Sequence, residues 1–230
     1  MSKALKSMSN ARKLATGTVE VELVTIKHKQ ENVKIPTEFK IASDIEKYAW
    51  EYIPALKDIL PHRPLPRLVD IIAGLNISSD AEYFIYTNLD IGLYPNFYIQ
   101  IKEMLDMGYD ALCINRIDLP KKFKDVTLDV NAIDLILKVN GKRHPGIDCF
   151  VFKKDIVPSL NLGNVYVGFP PVGMVLKTQI ETNSKNFYWV KDQVLTYHLG
   201  YDKPWANSNS PYLRENYKQA QGLFVNCINV

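Results

Sequence analysis

The chain has 230 residues, 47% of them hydrophobic and 23% charged, which suits one α/β domain with a sizeable core and excludes global disorder. Its formal net charge of +3 is slight and concentrated in the unbalanced Lys3, Lys6, Arg12 and Lys13, so no nucleic-acid partner is expected. No apolar run reaches the ~18 residues of a membrane span, and Cys113, Cys149 and Cys227 lack CxxC spacing, so buried thiols and a reducing, cytoplasmic setting are expected.

Residues 1–17 are basic and Ser-rich without an apolar stretch, and read as a flexible tail ahead of a single domain over 18–230. Val19–Ile26 alternates and is β-branched, which predicts a strand; the polar stretch 27–40, interrupted by Pro36, predicts a loop. Ser43 is placed to cap a helix over Asp44–Tyr52 that Pro54 ends. Leu65, Leu68, Val69, Ile71 and Ile72 form a helical face over Leu65–Leu75.

Glu82–Thr87 is nearly continuous in apolar and aromatic residues, as in a strand covered on both faces. The loop Asn88–Tyr94 follows, and Pro95 opens a helix that turns Phe97, Ile101, Met104 and Leu105 inward before Gly108. With Ala111–Asn115 strand-like again, the order strand, loop, helix, strand predicts a right-handed crossover between parallel strands. Beyond it, 118–140 is mixed and charged, with an apolar piece at Ile133–Val139. Gly141–Gly146 reads as a turn, Ile147–Phe152 as a buried strand, Val165–Phe169 as a further strand and Val172–Thr182 as a helix. Phe187–Val190 and Gln193–Tyr197 are short strands, and the aromatic tail with Tyr201, Trp205, Tyr212 and Tyr217 is expected to wrap the core.

Ligands of open α/β sheets bind beyond the carboxyl ends of the strands, where loops and helix N-termini converge. The triplet Asn88, Leu89, Asp90 stands there. An amide oxygen and a carboxylate two residues apart suit one Mg or Mn ion whose shell a phosphate-bearing ligand completes. The same residues also suit a plain helix-entry turn, with Asn88 or Asp90 as a cap.

The order of parts is informative. A helix at Leu65–Ala73 precedes the run Ala81–Asp90; then come Leu93–Phe97, a helix and a strand, and later Cys149–Lys154, an apolar strand ending in lysines. This resembles nucleotide-sugar-dependent glycosyltransferases of the GT-A fold, family-2-like, over roughly Leu65 to Lys154. The resemblance implies a mixed, mostly parallel sheet flanked by helices. It also implies a nucleotide diphosphate sugar as donor, a hydroxyl acceptor, and a degenerate DxD motif in which Asn88 replaces the first acid. On that basis Thr87, Asn88 and Asp90 are the nucleotide-sugar-binding residues, and Asp90 with His198 the metal ligands for Mn or Mg.

One departure stands out. Where inverting members carry an acidic pair that serves as general base, this chain has Gly168–Gly173, with no acid. Asp148 is the substitute base, with His144 second, since an attacking hydroxyl needs a proton acceptor close to its oxygen; Asp148 also suits a turn carboxylate paired with Arg143. The alternative is a non-catalytic nucleotide-sugar-binding or scaffolding module that has lost its base.

Overall fold

The apolar run at Ala111 seeds the whole architecture. In the computed structural model, which describes residues 3–42, 44–119, 142–198 and 210–223, it opens a strand over Ala111–Asp118 whose first four side chains are fully enclosed. In chain order the elements are α1 (Lys3–Leu14), β1 (Val24–Thr25), β2 (Lys40–Ile41), α2 (Ala49–Tyr52), α3 (Pro54–Lys57), α4 (Leu68–Ser78), β3 (Tyr83–Thr87), β4 (Ile91–Leu93), α5 (Phe97–Asp106) and β5 (Ala111–Asp118). There follow β6 (Lys142–Lys153), a 3₁₀ turn at Lys154–Ser159, α6 (Val172–Asn183), β7 (Phe187–Val190), β8 (Thr196–His198) and α7 (Pro211–Gln219).

Six strands form one mixed sheet in the order β3-β6-β5-β8-β4, with β7 also on β5. β7 and β8 share one edge of β5, both parallel to it: β7 along Ala111–Ile114 and β8 along Arg116–Asp118. β6 lies antiparallel between β3 and β5, so those two run parallel to each other and are joined through α5, as the sequence predicts. Yet three of the five pairings, β3–β6, β5–β6 and β4–β8, are antiparallel. The expected predominance of parallel pairs gives way because β6 returns beside the strand that precedes it, and such a strand runs antiparallel.

Alternation along β5 divides the core. Leu112 and Ile114 join one cluster with Met8 and Ala11 of α1 and Phe97, Ile101 and Met104 of α5. Ala111 and Cys113 join the other, with Leu68 and Ile72 of α4 and Val175, Leu176 and Ile180 of α6. Helices thus cover both faces of the sheet centre, the arrangement that continuous apolar strands require. β3 sits at the sheet's edge, and only its Phe84 is fully buried.

Several elements depart from the sequence reading. The stretch read as a flexible tail is α1, which buries Ala4, Ser7, Met8 and Ala11; these residues, all small but Met8, recur at helical spacing, while the basic residues sit on its outer side. The strand over Val19–Ile26 shrinks to β1, since among the described residues its partner is the two-residue β2. The helix at Asp44–Tyr52 is reduced to α2, and the proposed cap Ser43 lies outside the described residues. Pro66 keeps the next helix from starting before Leu68. Among the described residues Val165–Phe169 makes a single bridge, Tyr166 with Arg67, and the expected turn at Gly141–Gly146 is strand from Lys142 onward. Ile133–Val139, Tyr201, Trp205 and Cys227 lie outside the described residues. Cys113 and Cys149 are buried free thiols. Among the described residues no helix is long and apolar enough to cross a membrane.

Candidate functional site

β3 ends at Thr87, and the chain then turns sharply: the Asn88 amide donates to the Asp148 carbonyl at 3.3 Å, and the Ile91 amide to the Asn88 carbonyl at 3.1 Å. The Asn88 side chain is engaged at both ends. Its Nδ2 donates to Asp148 Oδ1 at 3.0 Å, and its Oδ1 accepts from the Tyr86 hydroxyl at 3.0 Å. Asn88 therefore braces the turn. Thr87, expected to touch a ligand, faces Cys149 across the β3–β6 ladder, and its Oγ1 is enclosed without a hydrogen-bond partner.

The turn delivers Asp90 to His198. Asp90 Oδ2 lies 3.0 Å from His198 Nε2, and His198 Nδ1 lies 3.6 Å from Asp118 Oδ1. The register explains both contacts, because His198 stands opposite Ile91 on one side and Asp118 on the other. Gly92 makes the close approach feasible: a Cβ there would stand 2.3 Å from the buried Tyr197 ring. Asp90, whose side chain is 53% exposed, is the accessible member of the group, against 13% for His198. Burial by itself would raise the Asp90 carboxyl, but the hydrogen bond and charge of His198, with Arg116 beyond, hold it below the usual carboxylate range. Burial, with the charges of Asp148 and Asp90, pushes the Tyr86 phenol far up, so it stays a donor.

Arg116 ties the carboxylates together. Its Nε donates to Asp118 Oδ1 at 3.2 Å and its Nη1 to Asp148 Oδ2. The register between β5 and β6 shifts on either side of Asn115, next to this guanidinium; such irregularities re-aim a side chain beside a site. Asp148, the expected base, thus accepts from Asn88 on one oxygen and from Arg116 on the other, and its side chain is only 18% exposed. Both of its carboxylate oxygens are therefore engaged in this arrangement. His144 accepts the Gly146 amide on Nδ1 at 2.8 Å, which places its proton on Nε2, 4.0 Å from Asp118 Oδ2, so it too lacks an open basic nitrogen.

No family model and no curated protein matches this chain. Among the described residues no group of three or more His, Cys, Asp and Glu side chains is arranged to hold a metal ion. Mg or Mn bound with a phosphate ligand takes as few as one or two carboxylates from the protein; Asp90 offers an exposed carboxylate, its Oδ2 engaged by His198 Nε2. A cavity of about 230 Å³ opens beside the cluster, walled by Asn115, Arg116, His144, Lys191 and Gln193; Asp90 is not among its lining residues.

Arg116 and Asp118 escape a reading that follows motifs. Their signal is nonetheless present: they stand two apart at the carboxyl end of a buried strand, so both side chains leave the same face.

Proposed function

We propose that the chain is a glycosyltransferase-type domain, GT-A-like, that binds a nucleotide diphosphate sugar at the loop Asn88–Asp90 and transfers the sugar to a hydroxyl acceptor. The supporting observation is the contact of Asp90 Oδ2 with His198 Nε2 at 3.0 Å at the carboxyl end of the sheet strands. Asp90 and His198 would hold a Mg or Mn ion, which when bound supplies positive charge for the departing diphosphate. Asn88 fixes the loop, Arg116 keeps Asp118 and Asp148 apart from each other's charge, and Asp118 orients His198 from behind. A second reading, a nucleotide-sugar-binding module without transfer, is favoured by one feature: both Asp148 oxygens are engaged.

The test is calorimetry with UDP, GDP, CMP and dTDP sugars, with and without Mn²⁺, on the wild type and Asp90→Ala. Metal-dependent binding lost in the variant is the expected result. No binding by any donor, or equal binding by both proteins, would overturn both readings. Turnover of a bound donor, to product or to water, separates transferase from module.

A further inference from the structure

Away from the Asp90 cluster, the segments flanking α2 border a half-open cleft of about 460 Å³, larger than the one beside Arg116 and within the roughly 300–1,000 Å³ typical of small-molecule sites. Its walls carry two stacked ring pairs. His28 lies on Tyr48 with centroids 3.8 Å apart and planes within 18°, and His62 lies on Trp50 at 4.0 Å and 10°.

Both imidazoles are themselves anchored. His28 is buried, accepts the Gln30 amide on Nδ1 and donates from Nε2 to the Glu46 carbonyl, each at 3.2 Å. His62 donates from Nε2 to the Lys57 carbonyl at 2.8 Å. Tyr48 is held further by its hydroxyl, 3.3 Å from Glu31, and by its amide, which donates to Glu51 Oε2 at 2.8 Å. Tyr48 and Trp50 are therefore braced, each with one ring face covered by an imidazole.

The charged lining is balanced: Lys29 and Lys47 stand against Glu46 and Glu51, and Lys29 pairs directly with Glu46. An anionic nucleotide gains nothing from such a wall, and neither does a simple cation. A neutral polyhydroxyl ring does gain. Its slightly positive C–H faces pack on the electron-rich face of an aromatic ring, and its hydroxyls both donate to carboxylates and accept from ammonium groups. We propose that this cavity binds a neutral sugar, packed against the Trp50–His62 ring pair, with Glu46 and Lys29 as hydrogen-bonding partners. The site shares no lining residue with the Asp90 cluster and stands whichever way the donor experiment falls.

Saturation-transfer NMR and calorimetry on the full chain, without nucleotide or metal, test it. The probes are glucose, galactose, mannose, N-acetylglucosamine and the β1,4-linked disaccharides cellobiose and chitobiose. At least one should bind saturably, with affinity reduced tenfold or more in Trp50→Ala, retained in Trp50→Phe and unchanged in Asp90→Ala. Should Trp50→Ala lose cooperative melting, Glu46→Gln, at a side chain 66% exposed, carries the same tenfold criterion. Absence of binding by every probe, indifference to these substitutions, or tighter binding of glucuronic acid or glucosamine than of glucose would overturn the assignment.

Discussion

Asp90 and His198 meet at 3.0 Å although 108 residues separate them in the chain. The contact is a product of sheet register: β4 pairs with β8 and places Ile91, the neighbour of Asp90, opposite His198. The same strand β8 pairs with β5 and sets His198 against Asp118. Whatever shifts that register separates the pair.

Gly92→Ala does so directly. The added Cβ would meet the Tyr197 ring at 2.3 Å, and Tyr197 is buried with its hydroxyl pushed up to about 12 by that burial. Overpacking of this kind costs about 1–3 kcal/mol. A lowered urea midpoint together with changed His198 ring signals in NMR is expected; an unchanged midpoint would contradict the packing described.

The Asp90 carboxyl is held below its ordinary range, so its contribution to stability has a defined direction. It is present above the unfolded carboxylate value of about 4 and is lost as pH falls through the lower folded value. At a half-exposed side chain the effect is screened, on the order of 1 kcal/mol or less. Below about pH 5, where an ordinary histidine is already protonated, the gap in urea midpoint between wild type and Asp90→Asn should narrow, and it should close as pH falls below 4. A gap that widens over that range would reverse the assignment.

Arg116 is only 11% exposed and faces two carboxylates. Removing one partner of a buried ion pair costs about 3–5 kcal/mol, because the remaining charge is left uncompensated. Arg116→Met should approach the lower end of that range, and adding Asp148→Asn should recover part of the loss. Strict additivity in chemical denaturation would show that the two side chains act independently.

Burial pushes both the Cys113 and the Cys149 thiols far up, which leaves almost no thiolate, the reactive form. In a Cys227→Ser protein, labelling by a disulfide reagent at pH 8 should be confined to unfolded molecules and accelerate with urea in step with unfolding. Rapid labelling of the native protein would mean that the core opens locally at β5 or β6.

The parts of the fold that could be read from the chain are those whose signal is local. The apolar spacing of Phe97, Ile101 and Met104 is the buried face of α5, and Phe187–Val190 is β7 residue for residue. The small-residue face of α1 was equally local, but its basic outer side hid it. The site divides along the same line. Asp90 and His198 could be named as a pair only through resemblance, and Arg116 carries no motif; its importance follows from facing Asp118 and Asp148 at once.

Sequence alone determined which side chains must leave water, and hence α4, α5, α6 and the two central strands, because burial is decided within a few residues by periodicity. The tertiary structure alone decided that β6 returns antiparallel between β3 and β5, that Asp148 is held by Arg116 and Asn88, and that Tyr48 and Trp50 wall a cavity. Strand partners and cavities arise from contacts between distant segments. Their free energy belongs to the assembled sheet and to no single stretch of chain.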